Sequence, residues 1–141
     1  MKRAFIFYCC VLLVSFITVS AQQITVKEIS AADFKKLVWN YEQDKSVVLQ
    51  SKLPVIVDFY ATWCGPCKLL SPLIDRLQQE YAGKIIIYRV DVDKNRDLAV
   101  KMGIRAMPTL MFFTKNKKHQ ALGYMSYDKL KQTAIENLGL K

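Results

Sequence analysis

An α/β fold is predicted, with a central mixed sheet of about four to five strands flanked by helices on both faces. Short continuous apolar runs, typical of strands covered on both faces, alternate with segments whose apolar residues recur at helical spacing. Near the end of the chain two such runs are separated only by a short basic stretch, which predicts a closing hairpin. A length of 141 residues with 52% hydrophobic residues is enough for one domain with its own core.

The first elements are a short strand at 24–26 and a helix that begins near Ser30. Ser30 and Asp33 form a capping-box pattern, which marks the start of a helix. Four apolar residues follow at helical spacing, namely Phe34, Leu37, Val38 and Tyr41. Residues 42–52 are mostly polar, and the pattern leaves open whether they form a loop or extend the helix. The run 54–60 then predicts a buried strand.

A second helix is predicted over 67–81, because leucine and isoleucine recur there at helical spacing and Gly83 supplies a stop signal. Pro72 lies inside it, where proline is expected to kink a helix. The remaining predicted elements are a strand over 85–90, a short helix over 97–102, a strand over 109–114, its hairpin partner over 120–125 and an amphipathic helix over 127–138.

Residues 1–21 have the pattern of a secretory signal peptide. Lys2 and Arg3 precede the apolar run 4–14, and small residues stand before position 22. The run is shorter than the roughly 20 residues of a membrane span, although residues 15–19 extend it enough to leave an uncleaved anchor open. We expect cleavage after Ala21, a mature domain of 22–141 and an oxidising compartment, the bacterial periplasm.

The chain is basic, with a net charge of +9. Removing Lys2 and Arg3 takes its 21 basic residues to 19 against 12 acidic ones, about +7. The densest basic cluster surrounds Asn116, where a solvated hairpin tip is expected, and consists of Lys115, Lys117, Lys118 and His119. No aromatic residues are interleaved with these charges, so nucleic acid is not expected as a partner.

Cys64 and Cys67 are separated by two residues, at the point where a predicted strand gives way to a helix. A thiol at the first turn of a helix lies near unsatisfied backbone N–H groups and the positive end of the helix dipole, which favour the thiolate. Cys64 is therefore the candidate nucleophile. A zinc site would need about four ligands, and His119 is the sole histidine. A purely structural disulfide would close too small a loop to stabilise the fold much, so redox chemistry without a metal or other cofactor is predicted.

Asp58 lies inside the apolar run 54–60. A carboxyl buried there needs a hydrogen-bonding or charged partner, or it has a chemical role. Its desolvation would raise its pKa. The alternation of the run leaves one alternative open, in which Asp58 faces outward near the end of the strand.

Residues 58–68, DFYATWCGPCK, resemble the active-site strand and turn of the thioredoxin family. The resemblance continues through Pro72, through residues 103–110 (GIRAMPTL) and through Gly123, so it covers roughly residues 24–138. It implies the thioredoxin fold and thiol–disulfide exchange with disulfide-containing proteins. Cys64 would attack the substrate disulfide, Cys67 would resolve the mixed disulfide, and Asp58 would be the buried acid that moves a proton to or from Cys67.

The resemblance also implies which residues support the reaction and bind the substrate. The supporting residues are Trp63, Gly65, Pro66, Lys68 and Arg89, and the substrate-binding ones are Met107, Pro108 and Gly123. Pro108 would be a cis-proline facing the cysteines, whereas the sequence alone leaves an ordinary trans turn open. Pro66 between the cysteines favours a reducing couple in this family, which points to a reductase.

Three residues depart from the pattern of the family. Arg89 stands where most thioredoxins have lysine, and a permanently charged guanidinium could hold Asp58 through water without exchanging a proton. Tyr60 replaces a common tryptophan, which preserves packing but changes the hydrogen-bonding group. Met107 replaces a branched apolar residue, and its flexible thioether could widen the range of partners.

A reductant in an oxidising compartment needs an electron supply, so we expect a membrane-embedded thiol donor as the upstream partner of a monomeric enzyme. Two other functions fit the same sequence. A more oxidising pair would make the protein an oxidase or isomerase of secreted proteins. A thioredoxin-like groove without turnover would make it a binding module.

Overall fold

The computed structural model describes residues 25–140, so the predicted signal segment at 1–21 lies outside the described residues. Nine elements follow each other along this part of the chain. They are β1 (Lys27–Glu28), α1 (Ala31–Leu37), β2 (Val55–Tyr60), α2 (Gly65–Glu80), β3 (Ile86–Asp91), α3 (Arg96–Met102), β4 (Thr109–Thr114), β5 (Lys117–Leu122) and α4 (Tyr127–Leu138). None of these helices is long and apolar enough to cross a membrane.

The five strands form one mixed sheet in the order β1-β3-β2-β4-β5. The β1, β3 and β2 strands are parallel, whereas β4 runs antiparallel to both β2 and β5. The strands β2 and β4 are buried along nearly their whole length, as expected for strands covered on both faces, while β5 is an exposed edge. The predicted α/β class with a mixed sheet is confirmed.

Alternating residues of β2 enter two separate hydrophobic clusters, so helices cover both faces of the sheet. On the first face, Val57 and Phe59 pack with Phe34 of α1 and Leu98 of α3. On the second face, the α2/α4 face, the buried side chains are aliphatic except for one phenylalanine and one tyrosine. They are Ile56, Leu70, Ile74, Leu77, Tyr81, Ile85, Ile87, Leu110, Phe112, Leu130, Ala134 and Leu138.

The predicted helix start at Ser30 is confirmed by a complete capping box. The Ser30 side chain accepts from the Asp33 N–H, and the Asp33 carboxylate accepts from the Ser30 N–H. The helix ends at Leu37, before Tyr41, and residues 42–52 are irregular. The long helix α2 begins at Gly65, two residues before its predicted start, and it continues through Pro72.

Both edge strands lie at other positions than predicted. Strand β1 is at Lys27–Glu28 because these residues pair with Tyr88 and Arg89 of β3, whereas the apolar pattern had placed it at 24–26. Strand β5 begins at Lys117, opposite Thr114, rather than at Gln120. The turn therefore contains only Lys115 and Asn116, and the other three basic residues of the cluster belong to the edge strand rather than to a hairpin tip.

Candidate active site

Cys64 and Cys67 form a disulfide at the N-terminus of α2. Cys64 is the N-cap residue, and its sulfur accepts the Cys67 N–H at 3.2 Å. Pro66 lies in the first turn, where its missing N–H is no loss. The disulfide is buried, with only 5% and 4% of the two residues exposed. The first cysteine therefore occupies the helix end at which a negative charge on sulfur is most favourable.

The flanking positions of the motif differ in how the fold constrains them. A Cβ at Gly65 would meet no atom within 4 Å, so the fold leaves the backbone open there. Lys68 is exposed and donates its backbone N–H to the Cys64 carbonyl at 3.2 Å. Trp63, which precedes Cys64 in the chain, is 66% exposed, and its indole N–H donates to Asp93 at 2.8 Å, which restrains the ring.

The loop before β4 contains a cis peptide bond between Met107 and Pro108, as the resemblance implied. The Pro108 carbonyl accepts the Gly123 N–H at 2.8 Å, and Gly123 has φ = 80°, a conformation that favours glycine. This contact joins two of the predicted substrate-binding residues, which lie just before β4 and just after β5, at the same end of this antiparallel pair. The Thr109 hydroxyl further fixes the loop by donating to the Ala106 carbonyl at 2.7 Å.

Asp58 is buried, with 1% of the residue exposed, so the outward-facing alternative is wrong. It pairs in register with Arg89 of β3, whose Nε donates directly to Asp58 Oδ2 at 3.1 Å. The contact between Arg89 and Asp58 is therefore direct. Burial raises the pKa of Asp58 to about 6, although the charge and hydrogen bond of Arg89 lower it.

The ion pair uses only one hydrogen bond. Asp58 Oδ1 and Arg89 Nη2 are both buried, and neither has a hydrogen-bond partner among the described residues. In a bidentate arginine–carboxylate pair, Nη2 would also donate to Oδ1. A cavity of about 250 Å³ lies beside this pair, and Cys67, Lys68 and Ser71 of α2 also line it. Asp58 and the second cysteine therefore border the same space.

Tyr60 connects the site to the edge of the sheet. Its hydroxyl donates to Glu28 Oε2 at 2.7 Å, and the centre of its ring lies 5.5 Å from the guanidinium carbon of Arg89. Lys94 donates to the other oxygen of Glu28 at 3.0 Å. Burial, followed by the hydrogen bond to Glu28, raises the pKa of Tyr60 to about 12.

Sequence reasoning missed Glu28 and Asp93. Neither belongs to a motif of the sequence, but each contacts a residue of the segment 58–68. A signal for Asp93 was available: the chain leaves β3 just before it, and the ends of parallel strands meet at the same edge of a sheet. Glu28 had no comparable signal, because its position depends on the register of β1. Within residues 25–140, no cluster of His, Cys, Asp or Glu is arranged to hold a metal ion.

A disulfide at a helix N-terminus, a cis-proline loop before a central strand and a buried carboxyl on the neighbouring strand define the class of thiol–disulfide oxidoreductases. The thioredoxin family model matches residues 25–136, so the chain belongs to the thioredoxin family. It is therefore a thioredoxin-type thiol–disulfide oxidoreductase, and thioredoxins are disulfide reductases.

Two bacterial thioredoxins illustrate the similarity. The chain is 37% identical to thioredoxin of Borreliella burgdorferi over 107 residues, which are 75% of this chain and 87% of that protein. It is 42% identical to thioredoxin 1 of Nostoc sp. over 95 residues, 67% of this chain and 89% of that protein. Among solved structures, chloroplastic thioredoxin z is similar with a TM-score of 0.66 and 27% identity, covering 80% of this chain and 94% of the other.

Proposed function

We propose that this protein reduces disulfides of other proteins in the bacterial periplasm, through dithiol–disulfide exchange at Cys64 and Cys67. The observation that carries the proposal is the asymmetry of the pair. Cys64 caps the helix N-terminus, while Cys67 borders a cavity with the buried carboxyl of Asp58. One cysteine is thus placed to be a thiolate nucleophile, and the other is placed beside an acid–base group.

The first step is attack of the Cys64 thiolate on one sulfur of the substrate disulfide. A new S–S bond joins Cys64 to the substrate, the old S–S bond breaks, and the second substrate sulfur leaves with the electron pair and takes up a proton. Cys67 then gives its proton to the Asp58 carboxylate, and its sulfur attacks the Cys64 sulfur. The Cys64–Cys67 bond closes and the substrate leaves as a thiolate, reduced by the two electrons that the dithiol has lost.

Asp58 is suited to this proton transfer. With a pKa of about 6 it is mainly a carboxylate at pH 7, so it can accept a proton, yet it is basic enough to hold one briefly. Arg89 stays charged throughout, so it orients the carboxyl rather than exchanging protons. No metal or organic cofactor is needed, because the two sulfurs carry the electrons.

The substrate would bind across the face formed by Trp63 and the cis-proline loop. An extended segment on either side of the substrate disulfide would pair with the backbone next to Met107, while the Gly123 contact holds Pro108 in place. Trp63 offers an exposed aromatic surface, and Gly65 leaves the backbone beside Cys64 open to a partner.

The proposed location rests on the pattern of residues 1–21, which fits a signal peptide cleaved after Ala21. A monomeric periplasmic reductase would be recharged by a membrane-embedded thiol donor, since the NADPH-dependent supply is cytosolic. We expect the full chain expressed in a bacterium to appear in the periplasmic fraction with Gln22 as its first residue. Recovery of an unprocessed chain in the membrane fraction would favour the uncleaved anchor, and recovery in the cytoplasm would exclude export.

The redox potential of the Cys64–Cys67 pair tests the direction of the reaction. Titration of the mature chain with glutathione or dithiothreitol, followed by thiol trapping, should give a value near the −270 mV or so typical of thioredoxin. A value of about −180 to −120 mV would instead identify an isomerase or oxidase.

Serine variants test for a non-catalytic binding module. We expect Cys67→Ser to accumulate mixed disulfides through Cys64 and Cys64→Ser to form none, with turnover lost in both. Full function of both variants would identify a binder that does not use its thiols.

A further inference from the structure

Three charged side chains stand side by side across the parallel strands. The register places Glu28 of β1 opposite Arg89 of β3, and Arg89 opposite Asp58 of β2. Residues that are directly opposite each other in a sheet lie on the same face. Arg89 therefore has a carboxylate neighbour on each side, but it hydrogen-bonds only the one at Asp58.

Both oxygens of Glu28 are occupied by other donors. The Tyr60 hydroxyl donates to Oε2 at 2.7 Å, and the Lys94 ammonium donates to Oε1 at 3.0 Å. The ring of Tyr60 also lies 5.5 Å from the guanidinium carbon of Arg89, within the range of a cation–π contact. Tyr60 thus occupies the Glu28 carboxylate, which would otherwise compete with Asp58 for Arg89, and it also contacts the guanidinium.

The position of the guanidinium decides which oxygens of Asp58 are used. Arg89 holds Oδ2 through Nε, and Oδ1 has no hydrogen-bond partner among residues 25–140. A bidentate pair with Arg89 would occupy both oxygens of Asp58, whereas moving Arg89 toward Glu28 would release both. The observed position leaves one oxygen held and the other without a partner among the described residues, on a carboxyl whose residue lines the cavity that Cys67 also borders.

We propose that Tyr60 is a positioning residue for proton transfer, because by occupying Glu28 and contacting Arg89 it keeps the guanidinium on Asp58 Oδ2 and leaves Oδ1 open for the proton of Cys67. The inference rests on the proposed function of Asp58 as the proton acceptor in the resolving step. It assigns a role to Tyr60, which stands where the family commonly has tryptophan, and to Glu28.

The other charged groups around Asp58 are the same in the Tyr60→Phe variant as in the original protein. Asp75 of α2 acts on it through its charge, and Lys68 of the same helix borders the cavity. Asp91 follows on β3 and is 3.6 Å from Lys94, and the residue of β4 opposite Asp58 is the apolar Leu110. Because Tyr60→Phe removes a hydroxyl and no charge that exists at neutral pH, its effect on Asp58 reports the placement of Arg89.

The experiment measures the single-turnover rate at which a preformed mixed disulfide on Cys64 is resolved, between pH 5 and 9. Tyr60→Phe should move the lower midpoint of the pH profile upward by roughly half a unit, since a more distant Arg89 stabilises the Asp58 carboxylate less. The rate at pH 7 should fall by about 3-fold or more, because the carboxyl loses the guanidinium that orients it for the proton transfer. Tyr88→Phe is the matched control, a β3 tyrosine whose hydroxyl makes no hydrogen bond to another described residue. It should leave rate and midpoint unchanged.

A second substitution separates positioning from damage to the fold. Adding Glu28→Gln to Tyr60→Phe removes the charge that competes for Arg89, so the midpoint should return most of the way to its original value. If Tyr60→Phe does not fold, Lys94→Met frees the other oxygen of Glu28 and should move the midpoint in the same direction, with Glu28→Gln again reversing it.

The outcomes distinguish this inference from the function on which it rests. An unchanged rate and midpoint in Tyr60→Phe, together with a slowed Asp58→Asn variant, would overturn the role of Tyr60 and keep Asp58 as the proton acceptor. A shift that Glu28→Gln fails to reverse would also overturn it. Unchanged resolution in Asp58→Asn would instead overturn the proposed role of Asp58 itself.

Discussion

The α2/α4 face of the sheet has two halves that differ in chemistry although they share strands. Near the start of β2 and β3, Ile56 and Ile87 lie in an aliphatic cluster with Leu77 of α2. Two residues further along each strand, Asp58 and Arg89 occupy the same face, beside Cys67. Along these two strands, the hydrophobic pattern of this face is interrupted where the strands approach the helix N-terminus. Stability and reactivity are therefore separated along a single pair of strands.

Two buried polar residues make the contrast sharper. Gln78 lies in the aliphatic half, where its side chain accepts from the Ile87 N–H at 2.6 Å and donates to the Ile85 carbonyl at 3.3 Å. Asp58 lies in the charged half and leaves one oxygen without a partner among the described residues. The satisfied group serves the fold, and the unsatisfied one is available for chemistry.

The largest expected effect belongs to the nucleophile. We expect Cys64→Ser to lower the reduction of a protein disulfide by more than about 1,000-fold, since a reaction without its nucleophile keeps only residual binding. The assay is turnover with dithiothreitol as the electron source. Thermal unfolding of the reduced forms is the control, because a large difference there would mean that the loss reflects the fold rather than the chemistry.

A substitution in the aliphatic half should lower the stability of the protein and leave its reaction rate nearly unchanged. Leu77 is fully buried, and Leu77→Ala should lower the free energy of unfolding by about 3 kcal/mol through lost burial and a cavity. Urea unfolding measures this change. The exchange rate of the folded variant should stay close to that of the original protein, and a drop of tenfold or more would contradict the separation of the two halves.

Asp58→Asn should make the oxidised protein more stable at neutral pH. A carboxyl whose folded pKa is about 6, against an ordinary value of 3.8, binds more protons when folded than when unfolded, so stability falls as the pH rises through this interval. Removing the charge should therefore add up to about 3 kcal/mol at pH 7, less the lost bond to Arg89, and little at pH 4. Denaturant unfolding at both values tests the sign, and equal effects at the two pH values would contradict the raised pKa.

Gln78→Met should have the smallest effect. It leaves a buried N–H and a buried carbonyl of the β3 region without their side-chain partner, which costs about 1–2 kcal/mol of unfolding free energy. Unlike Asp58→Asn, this loss should be the same at pH 4 and pH 7. A pH-dependent loss would show that the two buried polar groups are coupled.

Most of the fold could be predicted because its central elements have strong local signals. The strand Thr109–Thr114 and the helix Tyr127–Leu138 lie at their predicted residues, since a continuous apolar run and an amphipathic stripe determine them. Strands β1 and β5 have weaker patterns, and the register with their neighbours decides where they begin.

For the site, the sequence predicted the main residues but not the contacts between them. The sequence predicted the cysteine pair and favoured a buried Asp58 while leaving an outward-facing one open, and the cis bond at Pro108 followed only from the family resemblance. The direct bond from Arg89 and the contact between Tyr60 and Glu28 could not be predicted. They join three strands that are distant in sequence, and only the register of the sheet brings these side chains together.

The basic residues of β5 bear on how this protein behaves in a crowded compartment. Lys117, Lys118 and His119 lie on β5, which has no strand on its outer side among residues 25–140. The outer backbone groups of an edge strand can pair with another chain. Two copies approaching edge to edge would bring like charges together before their backbones could align. Repulsion along this edge opposes polymerisation through the sheet. Contact with other proteins is then left to a different surface, the one that carries the disulfide.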